Sequence, residues 1–176
     1  MKRKVVIIGA GHVGSHCARA LAAGRICNEI VLVDTDKEKA RAQALDVADA
    51  LSFPSVDITV RDGELCECSD ADITVIAIGK PREKGQTRLD LLGDSILMAK
   101  KLAADLKEVG VGGVVITITN PVDIISDYIR EALGMETNEF NPYRKRLIRK
   151  GIVSGETRGY VYFTLPLFDE YVVANY

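Results

Sequence analysis

The sequence predicts a doubly wound α/β fold, in which a parallel sheet carries helices on both faces. Short apolar segments rich in β-branched residues alternate with longer segments of helical periodicity, which is the order typical of such sheets. A Gly-x-Gly-x-x-Gly motif, from Gly9 to Gly14, directly follows the first apolar segment. An acidic residue, Asp34, ends the second apolar segment, 20 residues after Gly14. These observations together predict a nucleotide-binding domain.

The first strand is predicted at residues 4–8, because a strand buried on both faces is a continuous apolar run. Gly9 permits a tight turn, Gly11 lets a diphosphate approach the backbone, and Gly14 lets the next helix pack closely on the sheet. That helix is predicted over residues 15–23, and the N–H groups at its start favour phosphate binding. For the motif taken alone, a glycine-rich turn without a ligand is the alternative.

The second strand is predicted at residues 29–33 and leads into the acidic residue. Asp34 can accept hydrogen bonds from a ribose diol, and its carboxylate would repel a 2′-phosphate, so the sequence favours NAD over NADP. A helix is predicted over residues 36–51, with Asp36 as its N-cap. Three basic side chains of this helix are predicted to point to solvent: Lys37, Lys39 and Arg41.

Three further strands are predicted over residues 56–60, 72–79 and 114–119, and two further helices over residues 94–109 and 124–133. Turns or helix ends are predicted at residues 61–63, Gly110 and Gly134.

Candidate binding residues follow several of the predicted strands. Ligands of doubly wound sheets bind at the carboxyl ends of the strands, near the point where the strand order reverses. The glycine motif, Asp34, Gly79 and Asn120 all lie directly after predicted strands. We therefore expect these residues to form one site, with Gly79 allowing close approach of a cofactor. Asn120 suits a nicotinamide amide or a substrate oxygen, and a turn before the next helix is the alternative.

A long polar connection, residues 80–93, carries two arginines, Arg82 and Arg88. Long polar loops often bind ligands. A guanidinium group binds a carboxylate through two hydrogen bonds and can polarise a carbonyl group. The connection therefore suits a small anionic substrate, whereas surface charges without a binding role are the alternative.

Composition excludes several classes of function. A net charge of −2 argues against electrostatic binding to nucleic acid. No apolar run approaches the ~20 residues that span a bilayer, and the first residues lead into a strand instead of a signal peptide, so we expect a cytoplasmic protein. The Cys66-Glu67-Cys68 segment and the i, i+4 pair of His12 and His16 lack the further ligands of a metal site, so no bound metal is predicted.

Four segments together resemble the L-lactate/malate dehydrogenase family: residues 9–14, 33–34, 85–92 and 119–123. The resemblance covers about residues 2–137. It implies a Rossmann-like sheet, truncated relative to the two domains of the family, and reversible hydride transfer between NAD and a 2-hydroxy acid. It also implies a small carboxylate substrate and a homo-oligomer.

The resemblance assigns roles to individual residues. Arg88 matches the loop arginine that polarises the substrate carbonyl, which makes it the predicted catalytic residue. Arg82 falls where malate-type members carry the arginine that contacts the second carboxylate, which slightly favours malate or oxaloacetate. Asn120 matches an asparagine that contacts substrate and nicotinamide. The predicted cofactor-binding set is Gly9, Gly11, His12, Val13, Gly14, Asp34, Gly79 and Asn120.

The second half of the family pattern is absent from this sequence. There, an Asp–His pair acts as general acid and base, but no histidine follows His16 in this chain. We therefore expect an NAD-binding domain at residues 1–137, an atypical tail at residues 138–176, and negligible catalysis by this chain alone. The alternative is a non-catalytic NAD-binding module or an interaction protein.

Three interpretations of the tail stay open. The interpretation that we favour is an out-of-frame or fused terminus on a truncated gene. The tail could also supply a sixth strand, since residues 159–165 have strand composition. Lastly, it could be an interaction segment, because it carries a basic cluster at residues 144–150.

Overall fold

The computed structural model describes residues 3–51, 58–80, 90–119, 122–134, 153–154 and 162–163. The chain divides into two compact units, Met1–Leu133 and Gly134–Tyr176. Five strands of the first unit form a parallel sheet: β1 Lys4–Ile8, β2 Glu29–Val33, β3 Thr59–Asp62, β4 Ile73–Ile76 and β5 Val114–Thr117. Four helices accompany them: α1 His12–Ala23, α2 Lys37–Ala50, α3 Asp90–Val109 and α4 Val122–Ala132.

The strand order is β3-β2-β1-β4-β5, so the order reverses between β1 and β4. The register pairs Val5 with Ile30 on one side and with Ile73 on the other. This arrangement confirms the predicted doubly wound α/β class, and it puts the ligand position expected for such sheets beyond the ends of β1 and β4. No helix in the described part of the chain is long and apolar enough to cross a membrane.

Each face of the sheet has its own apolar core, which is why β1 and β2 are apolar throughout their buried length. Helices α1 and α2 pack on one face, whose buried residues include Val5, Ile7, Ile30, Leu32, Ala18, Ala22, Ala40, Ala44 and Val47. Helices α3 and α4 pack on the other, with Val6, Ile8, Val31, Val33, Ile76, Ala99, Leu102, Leu106, Ile125 and Ile129.

Several boundaries differ from the predicted ones. Helix α1 begins at His12 instead of residue 15, because Gly11 serves as its extended N-cap and the glycine motif continues into the first turn. Arg61 and Asp62 belong to β3 and not to a turn, since they pair in register with β2. The predicted start of β3 at residue 56 lies outside the described residues. Helix α3 begins four residues before the predicted Asp94, so Gly93 lies inside it.

The described part of the second unit is a small antiparallel pair. Strands β6 Val153–Ser154 and β7 Tyr162–Phe163 pair with each other in a two-stranded sheet. Tyr162–Phe163 is the described part of the stretch predicted as a sixth strand. The sixth strand is one of three open interpretations of this stretch, and these two residues pair with β6 in the separate two-stranded sheet.

An ion network ties β1, β2 and β3 to the 3₁₀ turn Leu65–Asp70. Glu67 accepts hydrogen bonds from Arg61 Nη1 at 2.6 Å and from Lys4 Nζ at 2.6 Å. Arg61 also donates from Nε to Glu29 at 2.9 Å. The hydrogen bonds from Arg61 and Lys4 lower the pKa of Glu67 to about 2. The carboxylate therefore stays charged at acidic pH values at which an ordinary glutamate is already protonated.

Helix α1 ends with a left-handed residue that is not glycine. Arg25 has a φ of 52°, and its N–H donates to the carbonyl of Ala22 at 3.2 Å. The N–H of Ile26 donates to the carbonyl of Leu21 at 3.3 Å. This is the Schellman arrangement, in which glycine usually takes the left-handed position. The chain therefore holds an arginine where a Cβ costs energy.

We expect Arg25→Gly to raise the free energy of unfolding by about 0.5–1 kcal/mol, because relief of the left-handed strain exceeds the entropic cost of glycine. Chemical denaturation measures the change. Arg25→Ala is the matched control, since it removes the side chain and keeps the Cβ, and it should give no stabilisation. Equal effects of the two variants would contradict backbone strain as the cause.

We expect Glu67→Gln to lower the free energy of unfolding at pH 7 by about 1–3 kcal/mol. Because the pKa of Glu67 is lowered by folding, its stabilisation is present above the ordinary glutamate pKa of ~4.3 and is lost as the pH falls toward 2. The wild type and the variant should therefore converge in acid when unfolding is followed by circular dichroism.

Glu64→Gln is the control for this ion network. Glu64 pairs with Lys37, and their side chains are 65% and 57% exposed, so the loss should stay below about 0.5 kcal/mol. A pH-independent difference between wild type and Glu67→Gln would show that packing, not charge, stabilises the 3₁₀ turn.

Candidate functional site

The glycine loop lies at the point where the strand order reverses. Gly9 follows β1 with a φ of 103°, and a Cβ on it would stand 2.5 Å from the carbonyl oxygen of Ala77, which follows β4. A Cβ on Gly14 would overlap the carbonyl oxygen of Gly9 and lie 3.3 Å from the side chain of Ile7. Gly9 and Gly14 are therefore required by the fold itself.

Gly11 is different from the other two glycines of the motif. A Cβ on Gly11 would meet only Nζ of Lys39, at 3.8 Å, and its φ of −75° is accessible to any residue. The protein itself thus leaves room for a side chain at this position. The space above Gly11 is available to a ligand that approaches the backbone closely.

The start of α1 presents backbone N–H groups to this space. Its N-cap is Gly11, no side chain caps the helix, and no acidic residue lies in the first turn. His12 and Val13 are exposed, so their side chains leave the backbone of the first turn open. An uncapped helix start of this kind carries a partial positive charge and binds phosphate groups.

Asp34 joins the end of β2 to the glycine loop. Its Oδ2 accepts a hydrogen bond from the N–H of Ala10 at 2.7 Å, and its Oδ1 accepts one from the N–H of Asp36 at 3.0 Å. Burial raises the pKa of Asp34, but these hydrogen bonds and the charge of Lys39 outweigh it, so the pKa lies below its usual value. The residue predicted to bind a ribose is therefore a charged carboxylate, and it also fixes the glycine loop through hydrogen bonds.

Lys39 is a residue of this site that the sequence analysis missed. Its ammonium lies 3.6 Å from Oδ2 of Asp34 and beside Gly11, while 45% of its side chain is exposed to solvent, as the helical pattern predicted. Asp36 caps α2 by accepting from the N–H of Lys39 at 3.1 Å, as predicted. This cap places Lys39 in the first turn, facing the glycine loop. The position of Lys39 five residues after Asp34 was the available signal.

A hydrogen bond joins the segments that follow β4 and β5. Thr119 is buried, and its hydroxyl donates to the carbonyl of Ile78. Gly79 is exposed, with no atom within 4 Å of the place where a Cβ would stand. Lys80 and Asp94, at the two ends of the polar connection, form an ion pair of 2.9 Å. Three predicted residues lie outside the described ones: Arg82, Arg88 and Asn120.

The cysteines and histidines do not converge on one point. Cys66 is exposed and Cys68 is buried, and the exposed rings of His12 and His16 stand 5.9 Å apart with His16 Nδ1 hydrogen-bonded to the carbonyl of His12. Among the described residues, no group of three or more His, Cys, Asp or Glu side chains could hold a metal ion.

Known proteins are similar to this chain in sequence and in structure. Residues 3–140 match a family model described as the NAD-binding domain of lactate/malate dehydrogenase, and residues 120–172 match a domain of unknown function. An L-lactate dehydrogenase of Fusobacterium nucleatum is 42% identical over 136 residues, which are 77% of this chain and 42% of that protein. The chain spans about half the length of the curated relatives that it matches.

Solved structures of lactate and malate dehydrogenases are also similar to this chain. The ligand-bound minor L-lactate dehydrogenase of Enterococcus mundtii is 33% identical, with a TM-score of 0.71 over 77% of this chain and 43% of that one. Malate dehydrogenase of Archaeoglobus fulgidus in complex with NADH is 25% identical, with a TM-score of 0.70 over 86% and 55%. The chain therefore belongs to the lactate/malate dehydrogenase family, of which it contains the NAD-binding domain.

Proposed function

We propose that the cofactor lies across the glycine loop, with its diphosphate over Gly11 at the start of α1 and a ribose at Asp34. The observation that carries this proposal is the uncapped helix start beside an unfilled space at Gly11. The backbone of His12 and Val13 supplies N–H donors, and Gly79 lets the cofactor pass the end of β4. The ribose hydroxyls would donate to the Asp34 oxygens and would take the place of the long hydrogen bond of 3.4 Å from the Thr35 hydroxyl to Oδ1.

Lys39 belongs to the proposed cofactor site. Its ammonium stands between Asp34 and Gly11, so it can pair with a diphosphate oxygen without leaving Asp34. A cation at this place compensates the charge that the phosphates bring to the carboxylate.

We propose that a complete enzyme containing this domain transfers a hydride between NAD and a small 2-hydroxy acid. Arg88 would polarise the substrate carbonyl, and Asn120 would contact substrate and nicotinamide. Support comes from the family and from relatives named as lactate and malate dehydrogenases. Arg82 favours malate or oxaloacetate as the proposed substrate, because a second guanidinium group suits a second carboxylate.

We propose further that these 176 residues do not complete the reaction alone. A general acid that titrates near neutral pH is needed to protonate the carbonyl oxygen, and no histidine follows His16. The second candidate function is a non-catalytic NAD-binding module.

The proposed organisation is an NAD-binding domain at residues 1–137 and a distinct segment at residues 138–176. A tail translated out of frame has no reason to match a family model, so the match over residues 120–172 supports a coding origin of this segment. We also propose self-association, and a place in the cytoplasm, where thiols stay reduced, since all four cysteines are free.

Titration of the purified chain with NADH, followed by fluorescence, tests the cofactor site. We expect saturable binding, and we expect Gly11→Val to weaken it at least about tenfold, because the added side chain occupies the proposed place of the diphosphate. Gly11→Ala should have an intermediate effect. Unchanged NADH affinity in Gly11→Val would contradict the proposed position of the diphosphate.

Oxaloacetate or pyruvate is then added to the same sample to test turnover. Binding of NADH without its consumption supports the incomplete domain or the binding module, whereas consumption of NADH would contradict catalytic incompleteness.

We expect Lys39→Met to weaken NADH binding about three- to tenfold and to reduce the salt dependence of binding, because a charge next to the phosphates is lost. Lys37→Met is the matched control, since Lys37 lies on the same helix and pairs with Glu64. Equal losses in the two variants would indicate a general effect of charge instead of a contact.

A further inference from the structure

A side chain joins the segments after β4 and β5 beyond the last backbone hydrogen bond between these strands. The register pairs Ile76 with Thr117, and the N–H of Ile118 donates to the carbonyl of Ile76 at 2.9 Å. In a parallel ladder, the carbonyls of alternate residues accept from the neighbouring strand. The next such carbonyl, that of Ile78, accepts from the hydroxyl of Thr119. Thr119 thus extends the connection by one side-chain hydrogen bond.

The hydroxyl of Thr119 is buried at a position where the fold could use an apolar residue. Thr119 is 7% exposed, whereas Ile118 beside it is 40% exposed. Because alternate residues of a strand face opposite sides, Thr119 shares a side with Val115, which packs against the core of α3 and α4. A buried hydroxyl costs free energy unless it is hydrogen-bonded, and valine has nearly the same shape without this cost. Packing alone therefore does not require the hydroxyl.

The segment after β4 is held from its other side by β1 and the glycine loop. The N–H of Ala77 donates to the last carbonyl of β1 at 2.8 Å, and the carbonyl oxygen of Ala77 lies against Gly9. Ala77 is therefore fixed by β1, and Ile78 is fixed by Thr119. Gly79, the next residue, is exposed, with no atom within 4 Å of the place of a Cβ. The backbone is thus fixed up to the first residue that a ligand can reach.

The place of Thr119 in the strand order indicates which part of the cofactor it serves. The order is β3-β2-β1-β4-β5, and the proposed site has the adenosine ribose at Asp34, after β2, and the diphosphate at Gly11, after β1. Neighbouring strands lie about 4.8 Å apart. A dinucleotide that continues in this direction has its other half, the nicotinamide riboside, beyond the ends of β4 and β5. Thr119 and Gly79 follow these two strands.

We infer that Thr119 is a positioning residue for the nicotinamide half of the cofactor. Its hydroxyl holds the carbonyl of Ile78 and thereby sets the distance between the backbone of Gly79 and the end of β5. Asn120, the proposed contact of the nicotinamide, directly follows Thr119 in the sequence. The adenosine half of the cofactor does not depend on this hydrogen bond. The inference rests on the proposed cofactor site and adds to it the residue that fixes its nicotinamide end.

Thr119→Val tests this role, with NADH and ADP-ribose as the two ligands. ADP-ribose contains the adenosine, the diphosphate and the second ribose, but it lacks the nicotinamide. We expect Thr119→Val to weaken NADH binding about tenfold and ADP-ribose binding less than about twofold, because the nicotinamide end alone loses its fixed backbone. Thr119→Ser keeps the hydroxyl and should bind NADH within about twofold of the wild type. Calorimetry on the full chain measures all of these affinities.

Thr74→Val is the matched control for the loss of a buried threonine hydroxyl. Thr74 is fully buried in β4, two residues before the end of the strand, and its substitution should leave both affinities unchanged. Thr119→Ala is measured alongside, since it also lacks the hydroxyl and adds no branched side chain. It gives the same comparison of the two ligands if circular dichroism shows that valine at this position disturbs folding.

Unchanged NADH binding in Thr119→Val, or equal weakening of NADH and ADP-ribose, would overturn the inference, because the hydrogen bond would then serve the fold only. A Thr119→Ser variant that binds NADH no better than Thr119→Val would overturn the role of the hydroxyl. Failure of the proposed function has a different signature. In that case the wild type binds neither ligand, and the cofactor site and this inference are overturned together.

Discussion

The approach of β1 and β4 at Gly9 is the contact on which the rest of this structure depends. There, a Cβ on Gly9, in the loop after β1, would stand 2.5 Å from the carbonyl oxygen of Ala77. The first turn of α1 then rests against the same loop through Gly14. This close packing aims the uncapped start of α1 at the edge of the sheet where ligands bind. Gly9 and Gly14 thus serve the fold, whereas Gly11 leaves a space in which we propose that the cofactor binds.

Asp34 connects the architecture to the chemistry. Its carboxylate ends β2, accepts from the loop amide of Ala10 and lies near Lys39. The same oxygens that shape the loop are the proposed ribose acceptors, so the protein's own hydrogen bonds organise the proposed site. Such preorganisation reduces the cost of ordering the site on binding. At the opposite end of the sheet, the ion network around Glu67 has a purely structural role.

Helices cover the two faces of the sheet to different extents. One face carries α3 and α4 together, and the other carries α1 and α2, which leaves the α1 side of β5 uncovered in the described structure. The proposed cofactor site and an apolar groove beside β5, whose lining includes Ile26, Ile116 and Ile118, lie in different parts of the same unit, Met1–Leu133.

The sequence by itself determined the fold class, the glycine loop, the acidic residue after β2 and the cap at Asp36, because each follows from local periodicity or from a motif of fixed spacing. It did not determine that Lys39 turns toward Gly11, that Arg61 extends β3, or that Ile116 and Ile118 share a groove with Ile26. These features depend on which strands become neighbours and on which face a helix packs. Contacts between residues distant along the chain decide them, and no local pattern contains that information.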